Sequence, residues 1–331
     1  MVSSSVLLAR PREHRHCGLV LLYAVIAGGF ASEKAIRGLS PGQLDSMDSQ
    51  TSAKSAEALS RELEFQRHHA EARETVSATP ANVIERYRSL RYERIIQKDF
   101  MYRQLGVGHD LSGKRLLDFG CGSGQTSTQL AALGAFVVGM DISPELIDLA
   151  MRRAELDGVT DHVQFQNVDL LKAPPPPDSF DRILCSAVLH HVDYSVVLPI
   201  LRRCLKTGGK IVIGEPIATS PLLRKIRGWL PVTRDASPDE RQFDAAEIAA
   251  IAGVFDRPEL SYFNLTSRLI RFVPRAFDLE NAPAASRGAV ILLMTVDRWL
   301  SRLPFLHRFY GAVTIAGTKD AIAPPTTSPL P

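Results

Sequence analysis

The sequence predicts an α/β fold with a doubly wound, mainly parallel sheet that carries helices on both faces. Short apolar runs alternate with helix-forming segments between residues 111 and 254, and this alternation is typical of parallel βαβ units. The first run leads into a glycine-rich turn, Gly120–Gly124, and acidic residues follow several of the runs. Glycines in such a turn permit positive φ angles and let the backbone approach a ligand closely.

The composition is that of a globular protein with a substantial core. Of 331 residues, 45% are hydrophobic and 23% are charged, and the formal net charge is +3. Because the basic residues do not form one long run, we expect no nucleic-acid partner. The four cysteines lie far apart, without a CxxC pair or a Cys/His cluster. We therefore predict no metal site, and reduced thiols in a reducing cytosol.

The amino-terminal segment is open to three interpretations. Arg10, Arg12 and Arg15 precede an apolar run over residues 17–31, which is typical of a secretory signal or anchor but short for a membrane span. The run is also compatible with a loosely attached surface helix, or with a translated extension upstream of a natural start at Met47. We favour the extension because the rest of the chain is typical of a cytoplasmic enzyme. An anchor or signal stays open.

The domain organisation follows from changes in composition. Residues 32–56 are rich in Ser, Gly and Asp and predict a disordered linker. Helix-forming mixtures then predict a solvent-facing helix over Glu57–Glu74 and a second helix over Val83–Leu105, ended by glycines. The predicted divisions are the extension and linker (1–56), N-terminal helices (57–108), the main domain (109–319) and a disordered tail (320–331).

The elements of the main domain follow in order. Strands are predicted at Arg115–Phe119, Phe136–Met140, Val163–Gln166, Phe180–Ser186, Lys210–Gly214, Glu259–Asn264 and Phe309–Ile315. Helices are predicted at Thr126–Leu133, Pro144–Ala154, Ser195–Leu205 and Asp244–Val254. Ser143 is a typical N-cap and Pro144 suits the first helical position.

An insertion over residues 267–307 separates the last two strands. It is apolar, with six arginines interspersed, and contains the run Ala289–Met294. The run is too short to span a bilayer and too apolar to be a free loop, so it must be buried against the domain, a ligand, a partner or a membrane surface. A helical insertion with a solvated arginine face and a peripheral membrane contact through 267–307 are both open.

Candidate site residues lie where the strands end, because ligands of open α/β sheets bind at the carboxyl ends of the strands. Those positions hold Asp118, Asp141, Asp169, Ser186 and Glu215. A carboxylate at the end of the second strand can accept hydrogen bonds from ribose hydroxyls. This arrangement fits either a nicotinamide dinucleotide or an adenosyl cofactor.

The glycine spacing separates these two cofactors. A dinucleotide site favours GxGxxG, whereas Gly120, Gly122 and Gly124 form GxGxG and Gln125 stands where the last glycine would be. The preceding Asp118 would repel a pyrophosphate but favours a cationic cofactor.

The segment Leu117–Gly124 resembles motif I of the class I S-adenosylmethionine-dependent methyltransferases, and the likeness extends over about Phe100–Pro216, more weakly to Lys319. It implies a Rossmann-like, seven-stranded sheet with the last strand antiparallel, and N-terminal helices that fold over the site as a lid. For the aromatic residues Tyr87, Tyr92 and Phe100 of the helix from Val83, ordinary core packing is open as well. The resemblance implies S-adenosyl-L-methionine as cofactor. It also implies a cofactor site formed by Asp118, Gly120, Cys121, Gly122, Gly124, Asp141 (ribose), Ile142 (adenine), Asp169 (adenine amino group), Leu170 and Ser186.

The stretch from Ser179 to Val192 resembles the fourth-strand motif of the methyltransferases of ubiquinone and menaquinone biosynthesis, the type 11 branch. For its two histidines, His190 and His191, packing at a helix start and a role as catalytic base are both open. Glu215 is a further candidate to orient or deprotonate the acceptor.

The leading hypothesis is a methyltransferase that acts on a small-molecule or lipid-like acceptor, with oxygen among the atoms that it could methylate. Two alternatives stay open: a nicotinamide-dependent oxidoreductase, against which the glycine spacing argues, and a non-catalytic relative that binds the cofactor and serves as a binding protein.

Overall fold

The computed structural model describes residues 60–61, 63–64, 67, 76–88, 97–109, 111–217, 220, 242–275 and 282–320. The chain divides into two compact units, residues 1–61 and 62–331, and every element below belongs to the second. The predicted extension and linker, most of the helix Glu57–Glu74 and the tail from residue 321 lie outside the described residues.

The described strands form one seven-stranded sheet in the order β3-β2-β1-β4-β5-β7-β6. Neighbouring strands are parallel except for β7, which runs antiparallel to β5 and β6. The strands are β1 (Arg115–Phe119), β2 (Phe136–Asp141), β3 (Val163–Asn167), β4 (Phe180–Ser186), β5 (Leu205–Pro216), β6 (Asp256–Phe263) and β7 (Ala312–Thr318). The predicted fold class is therefore confirmed.

Helices cover both faces of the sheet. They are α1 (Ala81–Arg88), α2 (Gln97–Leu105), α3 (Gln125–Ala132), α4 (Pro144–Asp157), α5 (Tyr194–Cys204), α6 (Ala245–Ala252) and α7 (Ala284–Leu300). Because the faces are covered, the central strands β1 and β4 bury consecutive residues rather than alternate ones. Leu116, Leu117, Ile183 and Leu184 are fully buried.

Local sequence signals explain the helix ends. The Ser143 hydroxyl accepts the N–H of Leu146 at 3.2 Å, Pro144 is the first helical residue of α4, and Gly158 ends the helix with φ +64. This confirms the predicted cap. Asp244 and Glu247 form a reciprocal capping box at the start of α6.

Three strands differ from the prediction by more than one residue at an end, while β2 and β3 each end one residue later than predicted. β7 lies at Ala312–Thr318 instead of Phe309–Ile315, β6 begins three residues earlier than Glu259, and β5 extends beyond Lys210–Gly214 at both ends. The prediction followed apolar side chains, whereas the ladder continues through polar residues. Lys210 pairs with Thr318 at the far end of the β5–β7 ladder.

Helix α2 packs against the sheet. Gln97 Nε2 donates to the carbonyl oxygen of Val313 at 3.0 Å, and the fully buried Tyr102 donates its hydroxyl hydrogen to Gln129 Oε1 at 2.8 Å. The predicted helix Val83–Leu105 is helical over 81–88 and 97–105, and residues 89–96 between them lie outside the described residues. A lid over 57–108 stays a prediction.

The predicted insertion leaves β6 after Phe263 and enters β7 at Ala312. It consists of a 3-10 segment (Ser267–Phe272), α7 and a second 3-10 segment (Pro304–Phe309). Val290 and Met294 of α7 pack with Ala282 in a small hydrophobic core of their own. Among the described helices, none has the length and hydropathy needed to cross a membrane.

Candidate functional site

The carboxyl edge of the sheet collects the predicted site residues. In the parallel ladders, Phe119 pairs with Met140, Asp141 with Asn167, and Ser186 with Gly214. The ends of β1 to β5 therefore lie side by side. The glycine loop, Asp141, Asp169, Ser186 and Glu215 all emerge at this edge, as the strand-end argument predicts.

The glycine loop is anchored to the end of β2. The N–H groups of Gly120 and Cys121 both donate to the Met140 carbonyl oxygen, at 2.8 and 3.1 Å. Gly120, Gly122 and Gly124 have φ values of +71, +52 and +73. This left-handed region is unfavourable for residues with a Cβ, so the backbone path of the loop requires glycine.

The three loop glycines differ in their surroundings. A Cβ on Gly120 would meet the Val188 side chain, and one on Gly124 would lie 2.7 Å from Ala150 Cβ and 2.8 Å from Phe165. Protein atoms therefore fill the space next to these two glycines. A Cβ on Gly122 would have nothing within 4 Å, so the middle of the loop borders open space.

Asp141 holds the glycine loop from the side. Its Oδ2 accepts the N–H of Gly122 at 2.8 Å, and its Oδ1 accepts the N–H of Ser143 at 3.0 Å. A carboxylate offers about four acceptor positions, so one that holds two backbone N–H groups can also accept from hydroxyl groups of a ligand.

Asp118 lies beneath the loop and is only 2% exposed. Its Oδ2 accepts the hydroxyl hydrogen of Ser127, the third residue of α3, at 2.6 Å. Burial raises the pKa of Asp118 from 3.8 to about 6, while the hydrogen bond from Ser127 opposes the rise. The carboxylate therefore acts on a ligand through its charge and through the shape of the loop, since its oxygens are covered.

The segment after β3 is locked to the end of β2 by Asn167. Its Nδ2 donates to the carbonyl oxygens of Asp141 and Ile142, at 3.2 and 2.8 Å. Asp169 Oδ1 accepts the N–H of Leu171 at 2.9 Å, which is a local turn. The Leu170 side chain is buried in the main core.

Glu215 organises the turn after β4. It is buried, and its Oε1 accepts the N–H groups of Val188 and Leu189, at 3.0 and 2.8 Å. Its Oε2 lies 2.6 Å from Nδ1 of His190. An ionised carboxylate only accepts, so Nδ1 of a neutral His190 carries the hydrogen and Nε2 is the acceptor nitrogen.

The two histidines differ in environment. The His190 side chain is buried, and it contacts the ring of the exposed His191 at a centroid distance of 4.0 Å. Ser186 is half-buried at the end of β4, and the next residue, Ala187, has a left-handed φ of +53. The N–H of Ala187 donates to the Gly214 carbonyl oxygen at 2.8 Å. This bond fixes the start of the turn that carries both histidines.

The described cysteines are buried free thiols: Cys121, Cys185 and Cys204. Burial raises the pKa of Cys121 and Cys185 well above the usual value, so neither is a nucleophile at neutral pH. Within the described residues, no group of three or more His, Cys, Asp or Glu is placed to hold a metal ion.

Sequence reasoning missed Asn167 and Ser127. Asn167 is paired with Asp141 across the β2–β3 ladder, and its position at a strand end was a usable signal. Ser127 contacts Asp118 from one turn inside α3, and no local pattern distinguishes it from a solvent-facing helical serine. The roles assigned to the predicted cofactor and catalytic residues stay predictions, while their placement at one edge is observed.

Comparison with known families gives a match to a methyltransferase domain over residues 117–213. The ubiquinone biosynthesis O-methyltransferase of Xanthomonas euvesicatoria pv. vesicatoria is 38% identical over 105 residues, covering 31% of this chain and 44% of that protein. Methyltransferase GfsG of Streptomyces halstedii is 32% identical over 124 residues, covering 37% and 44%. The chain thus spans less than half the length of these curated relatives.

Among solved structures, phosphoethanolamine N-methyltransferase 2 of Haemonchus contortus in complex with S-adenosyl-L-methionine is 20% identical, covers 72% of this chain and 57% of that chain, and gives a TM-score of 0.48. Geranyl diphosphate C-methyltransferase from Streptomyces coelicolor A3(2) is 19% identical, covers 67% and 78%, and gives a TM-score of 0.46.

Proposed function

We propose that this chain, whose residues 117–213 match a methyltransferase domain, is a class I S-adenosylmethionine-dependent methyltransferase of the type 11 branch. It transfers a methyl group from S-adenosylmethionine to an oxygen of a small-molecule or lipid-like acceptor. The observation that carries the proposal is the pairing of Gly122 with Asp141. Gly122 has a left-handed φ and borders open space, and its N–H donates to Asp141 Oδ2 at the end of the neighbouring strand, at 2.8 Å.

The residues present fit this cofactor. The absence of a side chain at Gly122 leaves space beside the loop in which a ligand can lie. Asp141 can accept hydrogen bonds from the hydroxyl groups of a ribose. Asp118 beneath the loop contributes negative charge that favours a sulfonium cation. The spacing GxGxG, with Gln125 after it, argues against the pyrophosphate of a nicotinamide dinucleotide.

The chemistry divides between the cofactor and the chain. When bound, S-adenosylmethionine supplies an electrophilic methyl group on its sulfonium sulfur. The chain has to hold the acceptor in line and remove a proton from its hydroxyl group. The loop, Asp141 and Asn167 form a rigid frame for binding, because each is tied to a neighbouring strand by hydrogen bonds.

We assign proton removal to His190, with Glu215 as the group that positions it. The contact of 2.6 Å between Glu215 Oε2 and His190 Nδ1 fixes the tautomer in which Nε2 accepts a proton. A buried carboxylate behind the ring also stabilises the imidazolium that proton transfer would form. His191 is exposed and serves as the comparison.

Oxygen is proposed as the methylated atom because the curated relatives with 38% identity are named O-methyltransferases. An apolar acceptor is proposed because the insertion between β6 and β7 exposes large apolar side chains at the edge that carries the site. A cytoplasmic location stays a prediction of the sequence.

Cofactor binding is tested by isothermal titration of the full-length chain with S-adenosylmethionine. We expect Asp141→Ala to raise the Kd by about tenfold or more, because hydrogen bonds to a charged group are lost. Asp161→Ala removes an exposed carboxylate before β3 and is the matched control, with an unchanged Kd. Absence of binding by the wild type, or equal Kd values for both variants, would refute the cofactor assignment.

The acceptor is identified by mass spectrometry of a cell extract incubated with the protein and isotope-labelled S-adenosylmethionine, since a labelled mass gain names the product directly. With that acceptor, His190→Gln is expected to lower kcat by about 100-fold or more, and His191→Gln to leave it within a fewfold. Glu215→Gln keeps an oxygen for the turn but reverses the tautomer preference of His190, so it should lower kcat while the cofactor Kd holds. The reverse ranking of the two histidines would transfer the assignment to His191.

A further inference from the structure

Large apolar side chains are exposed on the insertion between β6 and β7. Phe272 is 77% exposed, Phe305 64%, Leu292 63% and Trp299 61%. A group of such side chains on one insertion is typical of an interaction surface, whereas single exposed apolar residues need no explanation. We define the insertion surface as Leu269, Phe272, Leu292, Val296, Trp299 and Phe305, all of which are exposed.

Helix α7 presents one face to the domain and the other to solvent. Val290, Met294 and Asp297 are buried on the inner face, while Leu292, Val296 and Trp299 lie on the outer face. The two sets follow the spacing of a 3.6-residue helix. The outer apolar face is therefore a property of the helix pattern, and it does not come from a single misplaced side chain.

A buried carboxylate fixes the rotation of α7. Asp297 accepts the N–H groups of Asn264, Leu265 and Thr266, at 3.0, 2.9 and 2.6 Å, and the hydroxyl hydrogen of Ser267 at 3.0 Å. These bonds tie the middle of the insertion to the end of β6. The helix cannot roll its apolar outer face inward without breaking this set, so the exposure is built into the fold.

The exposed surface is also positively charged. Residues 264–310 contain seven arginines and three acidic residues, Asp278, Glu280 and Asp297, and Asp297 is buried. Arg298 lies in the last turn of α7, and Arg302 lies in the turn that follows the helix. Arg271 precedes Phe272 on the first 3-10 segment, and Arg308 is on the second. All four arginines are exposed. Arginine stems can lie along apolar material while the guanidinium groups reach phosphates.

The insertion emerges at the edge of the sheet that carries the candidate site. Ala312, where the chain returns to the sheet, pairs with Pro216 at the carboxyl end of β5 and with Phe263 at the carboxyl end of β6. The adjoining residue Glu215 belongs to the site described above. A partner that contacts the insertion surface therefore approaches the domain from its carboxyl edge.

We propose that the insertion surface docks the protein on the surface of a bilayer that contains anionic phospholipids. The apolar side chains of α7 enter the boundary between headgroups and acyl chains, and the arginines pair with lipid phosphates, as in interfacial amphipathic helices. The positive charge selects an anionic lipid surface over a neutral apolar partner. Delivery of a lipid-like acceptor from the bilayer to the site rests on the proposed function, but docking itself does not.

The test measures co-sedimentation of the full-length chain with vesicles of phosphatidylcholine alone and of phosphatidylcholine with phosphatidylglycerol. We expect binding to require phosphatidylglycerol and to weaken with salt. Leu292→Ser with Trp299→Ser should lower the partition constant by about thirtyfold or more, and Arg298→Gln with Arg302→Gln by about twentyfold. The matched control, Leu156→Ser with Arg152→Gln on the exposed side of α4, should bind as the wild type does.

Each outcome decides the proposal. No vesicle binding by the wild type refutes docking, and equal binding by the α7 variants assigns it to another part of the chain and refutes the insertion surface. Binding that ignores phosphatidylglycerol refutes the role of charge. A dimer in sedimentation velocity that dissociates in the Leu292→Ser, Trp299→Ser variant would make a second copy the occupant and overturn the proposal. No readout uses S-adenosylmethionine, so failure of docking and failure of the proposed activity are separate results.

Discussion

Replacing Asp118 by asparagine should change how the stability of the protein depends on pH. Burial raises the pKa of this carboxyl from 3.8 to about 6 in the folded protein, whereas the unfolded chain keeps a value near 4. Between these values the folded state holds the proton more tightly than the unfolded state. The free energy of unfolding therefore falls as the pH rises from 4 to 6, by about 2 kcal/mol from this group.

Asparagine removes the titration but keeps an oxygen that can accept the hydroxyl hydrogen of Ser127. Other carboxylates titrate in the same window, but they are shared by both proteins and cancel in the difference. The stability of Asp118→Asn relative to the wild type should thus increase by about 2 kcal/mol between pH 4 and pH 7. Urea unfolding at a series of pH values, followed by circular dichroism, measures this difference.

Ser127→Ala supplies an independent check on the cause. The Ser127 hydroxyl opposes the rise in the Asp118 pKa, so its removal should raise that pKa further and extend the fall in stability to higher pH. A difference between Asp118→Asn and the wild type that stays constant with pH would refute the reasoning, because burial would then not penalise the ionised form. A stability of Asp118→Asn relative to the wild type that increases as the pH falls would also refute it.

Three further substitutions test the local geometry. Gly120→Ala should lower the free energy of unfolding by about 2 kcal/mol or more in urea titrations, because φ is +71 and the new Cβ would meet Val188. Gly113 has the same φ with open space around it, so Gly113→Ala should lower the free energy of unfolding by less. Asp297→Asn should destabilise by about 2 kcal/mol and speed amide hydrogen exchange at residues 264–266, since an amide NH₂ would face backbone donors. Asp244→Ala removes the capping box of α6 and should lower stability by about 1 kcal/mol, with a lower Tm in calorimetry.

Much of the cofactor half of the site could be predicted from the sequence because its determinants are local. Strand β1, the glycine loop and the start of α3 are consecutive, and φ requirements restrict Gly120 and Gly122 wherever the loop forms. Asp141 could be placed because the end of a strand is visible in the sequence. The same local signals predicted the Ser143 cap of α4, and the structure confirms that cap.

Contacts between distant residues could not be predicted in the same way. The bond between Asn167 and the Ile142 carbonyl oxygen depends on the register of two strands. The set of donors around Asp297 comes from residues about thirty positions away. In the sequence, Asn167 and Asp297 are ordinary polar residues at the positions that they occupy. Nothing there indicates that Asn167 holds the end of a strand and that Asp297 holds a helix.

The most informative difference between sequence and structure concerns Glu215 and His190. As separate residues they were alternative candidates for the same task, proton removal. A carboxylate whose oxygens already accept two backbone N–H groups and face an imidazole nitrogen is badly placed to take a proton from a substrate. The geometry thus supports the proposal that the two residues act as one unit, in which Glu215 orients His190 and His190 takes the proton. If that is correct, Glu215→Gln and His190→Gln should not be additive, and the double variant should be about as slow as His190→Gln alone.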